Sequence, residues 1–173
     1  MKIIVLKKNK ISNPLKREIC KLKKTFWNYL LKSHLEWFNK NVKKNDINIL
    51  LLNKENLIGY NLLRKRNYYL VANKIKKRNY YYFDTLIVRK EFRKKNLSKK
   101  ILNKSISISK KSNLPLILIC KKQHVSFYKK FSFKLLKKNN IKFVDHKFNS
   151  YSMIYAKKNS KYLISNKIQI YLT

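Results

Sequence analysis

The spacing of apolar positions changes along the chain, and each change marks an element. Residues 3–6 (IIVL) are a continuous apolar run, read as a short buried first strand. Ser12, Asn13 and Pro14 then mark a helix start, with polar cap candidates followed by proline at an early helical position. Leu15, Ile19, Leu22, Phe26 and Leu30 follow at three- and four-residue steps, the stripe of an amphipathic helix. Ser33 and Glu36 have capping-box spacing and predict a second short helix carrying Trp37 and Phe38. Residues 47–52 and 57–64 read as two strands joined by the polar turn Asn53-Lys54-Glu55-Asn56. Gly59, the only glycine, lies inside the second of them, where it predicts a bulge or a close backbone approach. Residues 68–72 are read as a further strand or an irregular arm, and 74–79 as a basic loop.

The pattern is sharpest from residue 82 onward. Residues 83–89 form a strand, 93–98 a tight basic turn, and a helix opens at about Leu97. Leu97, Ile101, Ser105 and Ile108 make its buried stripe, with lysines outside, and Asn113-Leu114-Pro115 ends it. Residues 116–120 are uniformly apolar, as in a strand covered on both faces. A short helix over 123–131 and closing strands over 133–136, 141–145 and 151–156 follow, with a weaker strand pattern at 168–172. This order predicts a mixed α/β sheet with helices on both faces. With no internal repeat and no linker, residues 1–173 are expected to form a single domain.

Charge widens the set of partners. The 44 Lys and Arg against 7 Asp and Glu give a net charge of +37, a field that draws any polyanion, whether nucleic acid, anionic membrane or phosphorylated cofactor. The basic residues are spread along the whole chain, which fits drift in a composition rich in Lys, Asn, Ile and Tyr better than a dedicated nucleic-acid surface. At 45% hydrophobic and 13% aromatic, the chain is expected to fold. Cys20 and Cys120 form no C-x-x-C pair, and His34, His124 and His146 show no ligand spacing, so a reduced cytoplasm and no metal are the expectation. No apolar run approaches the ~18 residues of a membrane span, and the apolar patch of MKIIVLKKNK is too short for a signal-peptide core.

The candidate chemistry sits where strand hands over to helix. The first N–H groups of a helix have no internal partner, and the helix dipole makes them a site for phosphate. Arg93, Lys94 and Lys95 add charge around that point. The stretch VRKEFRKKNLSKKIL resembles the signature of the GNAT superfamily of N-acetyltransferases: a strand-ending valine, then Arg/Gln-x-x-Gly-x-Gly/Ala, then a helix. Arg93 takes the first position, Asn96 the first glycine and Ser98 the second small residue. LPLILICKKQHVSFYKKFSFK resembles the family's next strand and helix, ending in Phe-Tyr-x-x-x-Gly-Phe, here Phe127, Tyr128, Ser132 and Phe133. LNKENLIGYNLLR resembles the hairpin before the signature strand. The three blocks keep the family's order and spacing over residues 46–153.

The resemblance implies a mostly antiparallel sheet in which the signature strand and the 116–120 strand splay apart to admit the pantetheine arm of acetyl-CoA. It implies that main-chain N–H groups from Arg93 through Lys94, Lys95, Asn96 and Leu97 to Ser98 hold the pyrophosphate. Leu86, Ile87 and Val88 would line the arm, and the Val88 N–H would polarise the thioester carbonyl. Tyr128 would protonate the departing sulfur. Asp84 stands where some relatives carry a base, and Lys121 where the family often has an asparagine beside the cofactor. No covalent intermediate is needed, so neither cysteine is assigned as nucleophile. The 116–120 run, with Trp37 upstream, resembles the branch that acetylates aminosugars. The implied activity is acetyl transfer from acetyl-CoA to a small amine or aminosugar. Two other readings stand beside it: a basic module binding nucleic acid through charge and stacked tyrosines, and a GNAT-like protein without catalysis.

Overall fold

The computed structural model describes residues 1–70, 73–144, 150–156 and 167–170. The chain packs as two compact units, Met1–Arg64 with Asp84–Ser105, and Lys65–Phe83 with Ile106–Thr173.

The first unit holds β1 (Lys2–Lys7), α1 (Asn13–Lys24), α2 (Leu31–Asn41), β2 (Ile47–Asn53), the start of β3 (Asn56–Leu70), the end of β4 (Asn73–Val88) and the first turns of α3 (Leu97–Ser112). Its strands lie in the order β1-β2-β3-β4, with β1 antiparallel to β2 and β2 to β3. β1 alternates between exposed and half-buried positions. It is a sheet edge with one covered face, not the buried strand its apolar run predicts. Ile19, Cys20 and Leu22 of α1 and Phe38 of α2 pack on Leu50, Tyr60, Leu62 and Ile87 of the sheet.

Local chemistry sets the helix ends. Ser12 caps α1, its hydroxyl accepting from the Leu15 N–H at 3.4 Å. α1 stops at Lys24, and the Thr25 hydroxyl donates to the Leu22 carbonyl at 2.8 Å. Phe26 and Leu30 therefore fall outside the helix and are exposed, so the predicted stripe ends at Leu22. α2 opens at Leu31, two residues before Ser33, and no side chain caps it. Ser33 lies within its first turn, and the predicted capping box is not formed.

Gly59 fulfils both expectations. The register between β2 and β3 shifts at Leu51/Leu52, beside the Leu51↔Gly59 pair. A Cβ at Gly59 would lie 2.8 Å from Ile101 Cδ1 of α3 and 3.2 Å from the Ile87 carbonyl oxygen. Side-chain amides tie the same elements together. Asn61 Nδ2 donates to the Thr85 carbonyl, and the Ser105 hydroxyl of α3 donates to Asn61 Oδ1 at 3.0 Å.

β3 and β4 run on into the second unit, where residues 68–70 take the strand alternative and the predicted basic loop turns out to be strand. Their tyrosines explain why. Tyr68 and Tyr80 pack edge-on at 6.2 Å, and both join Leu70 and Tyr82 in the core, while Lys77 and Asn79 face solvent. β5 (Leu116–Cys120) pairs parallel with β4 at Tyr81↔Leu116 and Tyr82↔Ile117. Antiparallel to β5 runs β8 (Tyr151–Tyr155), which carries β6 (Lys134–Leu135) on its other side. β9 (Ile168–Ile170) pairs antiparallel with β3 and parallel with β7 (Ile141–Phe143). The predicted 123–131 helix is a 3-10 turn at Lys122–His124 followed by α4 (Val125–Lys129). The predicted strand ends at Ala72, Asp145 and Leu172 lie outside the described residues. The architecture is the expected α/β type, with a mostly antiparallel sheet.

Candidate active site

In the first unit, β4 ends at Val88, a 3-10 turn spans Lys90–Phe92, and α3 opens at Leu97. Between them the chain takes positive φ at Lys94 (62°) and Asn96 (56°). Asn96 thus adopts the left-handed conformation at the place where the resembled pattern has glycine. Asparagine is among the few non-glycine residues that tolerate it. Arg93, Lys94, Lys95 and Asn96 are exposed, Leu97 is buried and Ser98 half-buried. The side chains of Lys94, Lys95 and Asn96 therefore project outward. Among the described residues, none of the five N–H groups from Lys94 to Ser98 donates a hydrogen bond. The Asn96 carbonyl accepts from Lys99 and Lys100 and closes the first turn of α3 behind them.

Arg93 does not reach out freely into solvent. Its Nε donates to the Val88 carbonyl at 3.2 Å, and its guanidinium lies 4.7 Å from the Phe26 ring centre. It braces the bend against the end of β4. The Arg89 N–H donates to the Ile58 carbonyl of β3. Strand alternation then turns the N–H groups of Leu86 and Val88 away from β3. On that side, β4's pairing ends at Tyr82. Ile87 points the other way, and its side chain is part of the core.

A cavity of about 440 Å³ opens in the same unit. Asp84 and Thr85 of β4 form one wall, and Lys23, Trp27, His34 and Trp37 form the facing walls. Asp84 is the only carboxylate among its lining residues. Asp84 Oδ2 accepts from Arg64 Nη1 at 3.2 Å. Lys23, 6% exposed, holds its Nζ 3.6 Å above the Trp37 ring. Burial lowers its pKa below the ordinary lysine value, and Asp84 pulls it part of the way back. His34 Nε2 lies 3.1 Å from the Trp27 carbonyl oxygen and fixes the aromatic wall. Of this set the sequence singled out Asp84 and Trp37, while His34 drew notice only for its lack of metal-ligand spacing. Lys23 and Arg64 gave no signal, because each reads as one of 44 cations.

In the second unit, Tyr128 of α4 is half-buried among aromatic rings: Phe83 at 6.1 Å, Phe127 at 5.1 Å and Phe133 at 5.6 Å. The Phe133 N–H donates to the Tyr128 carbonyl and the Ser132 N–H to the Lys129 carbonyl, with Ser132 at φ 63°. This is a Schellman cap, in which the residue after the helix turns left-handed and the next one packs back on the last turn. It explains the Phe-Tyr-x-x-x-Gly-Phe spacing: the cap delivers Phe133 onto the Tyr128 ring. Burial raises the Tyr128 phenol above the usual tyrosine value, with Cys120 adding to the shift. Burial also raises the Cys20 and Cys120 thiols, which keeps both protonated. Leu118 to Cys120 pair only with β8 among the described residues. Lys121 is exposed and precedes the 3-10 turn, its carbonyl accepting from the His124 N–H at 3.0 Å.

The sequence matches the family described as "Acetyltransferase (GNAT) domain" over residues 15–153. No curated protein matches it. Among solved structures, it is similar to the Escherichia coli GNAT family N-acetyltransferase YhbS in complex with CoA, at 10% identity and a TM-score of 0.67, covering 99% of this chain and 89% of that one. An aminoglycoside 6'-N-acetyltransferase complexed with coenzyme A is similar at 13% identity and a TM-score of 0.63, over 88% of this chain and 96% of that one. Arabidopsis thaliana Naa50, bound to the bisubstrate analogue CoA-Ac-MVNAL, is similar at 15% identity and a TM-score of 0.62, over 90% and 99%.

Proposed function

The chain belongs to the GNAT acetyltransferases, and on that premise we propose that it moves an acetyl group from acetyl-CoA to a small primary amine by direct attack in a ternary complex. The observation that carries the reading is the open bend at residues 94–98, with five N–H groups unsatisfied at the start of a sixteen-residue helix. Such a bend suits a diphosphate, because fixed donors and the helix dipole meet the charge without reorganising. Coenzyme A in two of the similar structures supports acetyl-CoA as donor.

In this reading the amine nitrogen attacks the acetyl carbonyl carbon. The carbon–sulfur bond breaks, the amine gives up a proton and the sulfur takes one. The Val88 N–H, turned away from β3, stabilises the oxyanion. Tyr128 supplies the sulfur's proton; burial holds that proton on the phenol until the thiolate forms beside it. Asp84 receives the amine's proton, directly or through water. Leu86 flanks the pantetheine arm, while Ile87 contributes through its main chain. Lys94, Lys95 and Lys121 add long-range attraction for the cofactor's phosphates. For the acceptor, the sequence offers a small amine or an aminosugar.

Calorimetry with acetyl-CoA, followed by a free-thiol assay over a panel of amines, tests this. Tyr128→Phe should bind acetyl-CoA as the wild type does and lose roughly 10²-fold or more in thiol release. Equal heats for acetyl-CoA and an unrelated polyphosphate would reduce the bend to a charge trap and overturn the assignment.

A further inference from the structure

Lys23 has a role to fill that the acetyl-transfer chemistry leaves open. It lies in the last turn of α1, 6% exposed, and its ammonium reaches the cavity walled by Trp27, Trp37 and Asp84. Its ammonium lies over two ring faces, Trp37 at 3.6 Å and Trp27 at 5.9 Å. Among the described residues no carboxylate or carbonyl oxygen accepts a hydrogen bond from it. The one carboxylate in the cavity wall is shared: Asp84 Oδ2 meets Arg64 Nη1 at 3.2 Å and Oδ1 accepts from the Thr85 hydroxyl at 3.4 Å, which leaves lone pairs for a ligand but supplies no counter-ion to Lys23 alone. Arg64 is itself buried, and its Nε has no partner among the described residues. Lys23, Arg64 and Asp84 therefore leave one cation in excess in a desolvated place.

An ammonium removed from water needs an anion or several oxygens around it; stacking on an indole face offsets only part of that cost. Elsewhere on this chain solvent meets the need, since most lysines are exposed. Here the cavity must meet it when it closes around a ligand. Lys23 comes from α1 and Asp84 from β4, so the cavity lining offers a ligand both a cation and a carboxylate. A polycation would find Lys23 and Arg64 against it. A simple alkylamine would satisfy Asp84 and leave Lys23 bare. A zwitterion satisfies both, and the two indoles suit the hydrocarbon between its charges.

We propose that the acceptor is an amine that also carries a carboxylate, its ammonium end drawn to Asp84 and its carboxylate received by Lys23. This rests on the acetyltransferase reading and narrows it: the acceptor is of the amino-acid type, and polycationic aminosugars are disfavoured. Lys23 is a specificity residue in this scheme and takes no part in bond making. A charge-assisted contact of this kind is worth about tenfold or more in affinity.

Trp27 and Trp37 are the chain's two tryptophans and both line the cavity, so intrinsic fluorescence reports its occupancy. The probes are 4-aminobutanoate and 6-aminohexanoate, each against the alkylamine of matching length, with a polycationic aminoglycoside as a third arm. The amino acids should bind the wild-type protein about tenfold or more tightly than the alkylamines, and the aminoglycoside most weakly. Lys23→Met should erase the preference for the amino acid, and Lys23→Arg should retain it. Wild-type protein that binds the alkylamine or the aminoglycoside as well as the amino acid overturns the proposal. So does a fluorescence that no amine perturbs, or a preference that survives in Lys23→Met. If Lys23→Met does not fold by circular dichroism, Lys23→Gln takes its place, and the wild-type ratio is decisive by itself. Acetyl-CoA calorimetry on the same protein keeps the two claims apart: without acetyl-CoA binding the enzyme reading fails, whereas binding with no acid preference removes only the acceptor class.

Discussion

Gly59 shows how much one residue can hold in place. It lies on β3, and the space its missing Cβ leaves open is occupied by Ile101 of α3, the Ile87 carbonyl of β4 and the Leu51 side chain of β2. Ile101 Cδ1, at 2.8 Å, is the end of a flexible side chain and can move. The Ile87 oxygen, at 3.2 Å, is backbone and cannot move without shifting β4. Gly59→Ala should therefore destabilise the protein by about 1–3 kcal/mol, the usual cost of overpacking, read as a lower urea midpoint at unchanged slope. The effect reaches function because the strand that would shift carries Val88. A neutral or stabilising Gly59→Ala would mean that the close approach is not maintained in solution. In a chain with a single glycine, its survival at this position is a statement about packing that the sequence makes legible: glycine inside an apolar strand predicts a neighbour too near for a side chain.

At the scale of elements, several bends keep a left-handed backbone without glycine, among them Asn96 before α3 and Ser132 after α4. A non-glycine residue in that conformation costs roughly 1–2 kcal/mol, and glycine recovers most of this less its own larger chain entropy. Asn96→Gly and Ser132→Gly should each stabilise by up to about 1 kcal/mol, measured by urea unfolding. Asn96→Gly should keep acetyl-CoA affinity, whereas Asn96→Val should lose it, since a β-branched residue is strained at φ 56°. The strand–turn–helix around these bends was readable because everything that specifies it is local: apolar spacing, a polar turn and a proline after the helix. β3 and β4 were only half readable. Their outer halves carry lysines, arginines and asparagines that look like a loop, while Tyr68 and Tyr80 pack edge-on in a core that nothing local announces. The α2 start was misplaced because a capping-box pattern inside a helix looks the same as one at its end. The cavity was less legible still, since Lys23, Arg64 and Asp84 come from three elements and nothing local pairs them.

The whole molecule carries a charge of +37, and its 7 acidic residues can pair with only a small part of its 44 Lys and Arg. Most of its cations therefore face one another across solvent, and their mutual repulsion opposes the compact state. Salt shortens the reach of that repulsion to about 8 Å at 0.15 M and about 3 Å at 1 M. The melting temperature should accordingly rise by several degrees between 20 mM and 500 mM salt, followed by circular dichroism. The same titration separates the two ways this surface can hold an anion. Binding of nucleic acid through counterion release should weaken by orders of magnitude over that range. Acetyl-CoA, if gripped by the fixed N–H groups of residues 94–98, should lose only the long-range part of its attraction and bind with a much shallower salt slope. Parallel slopes for acetyl-CoA and a nucleic-acid oligomer would mean that the field alone does the binding. The bend would then be a basic turn of this fold, with no diphosphate site in it.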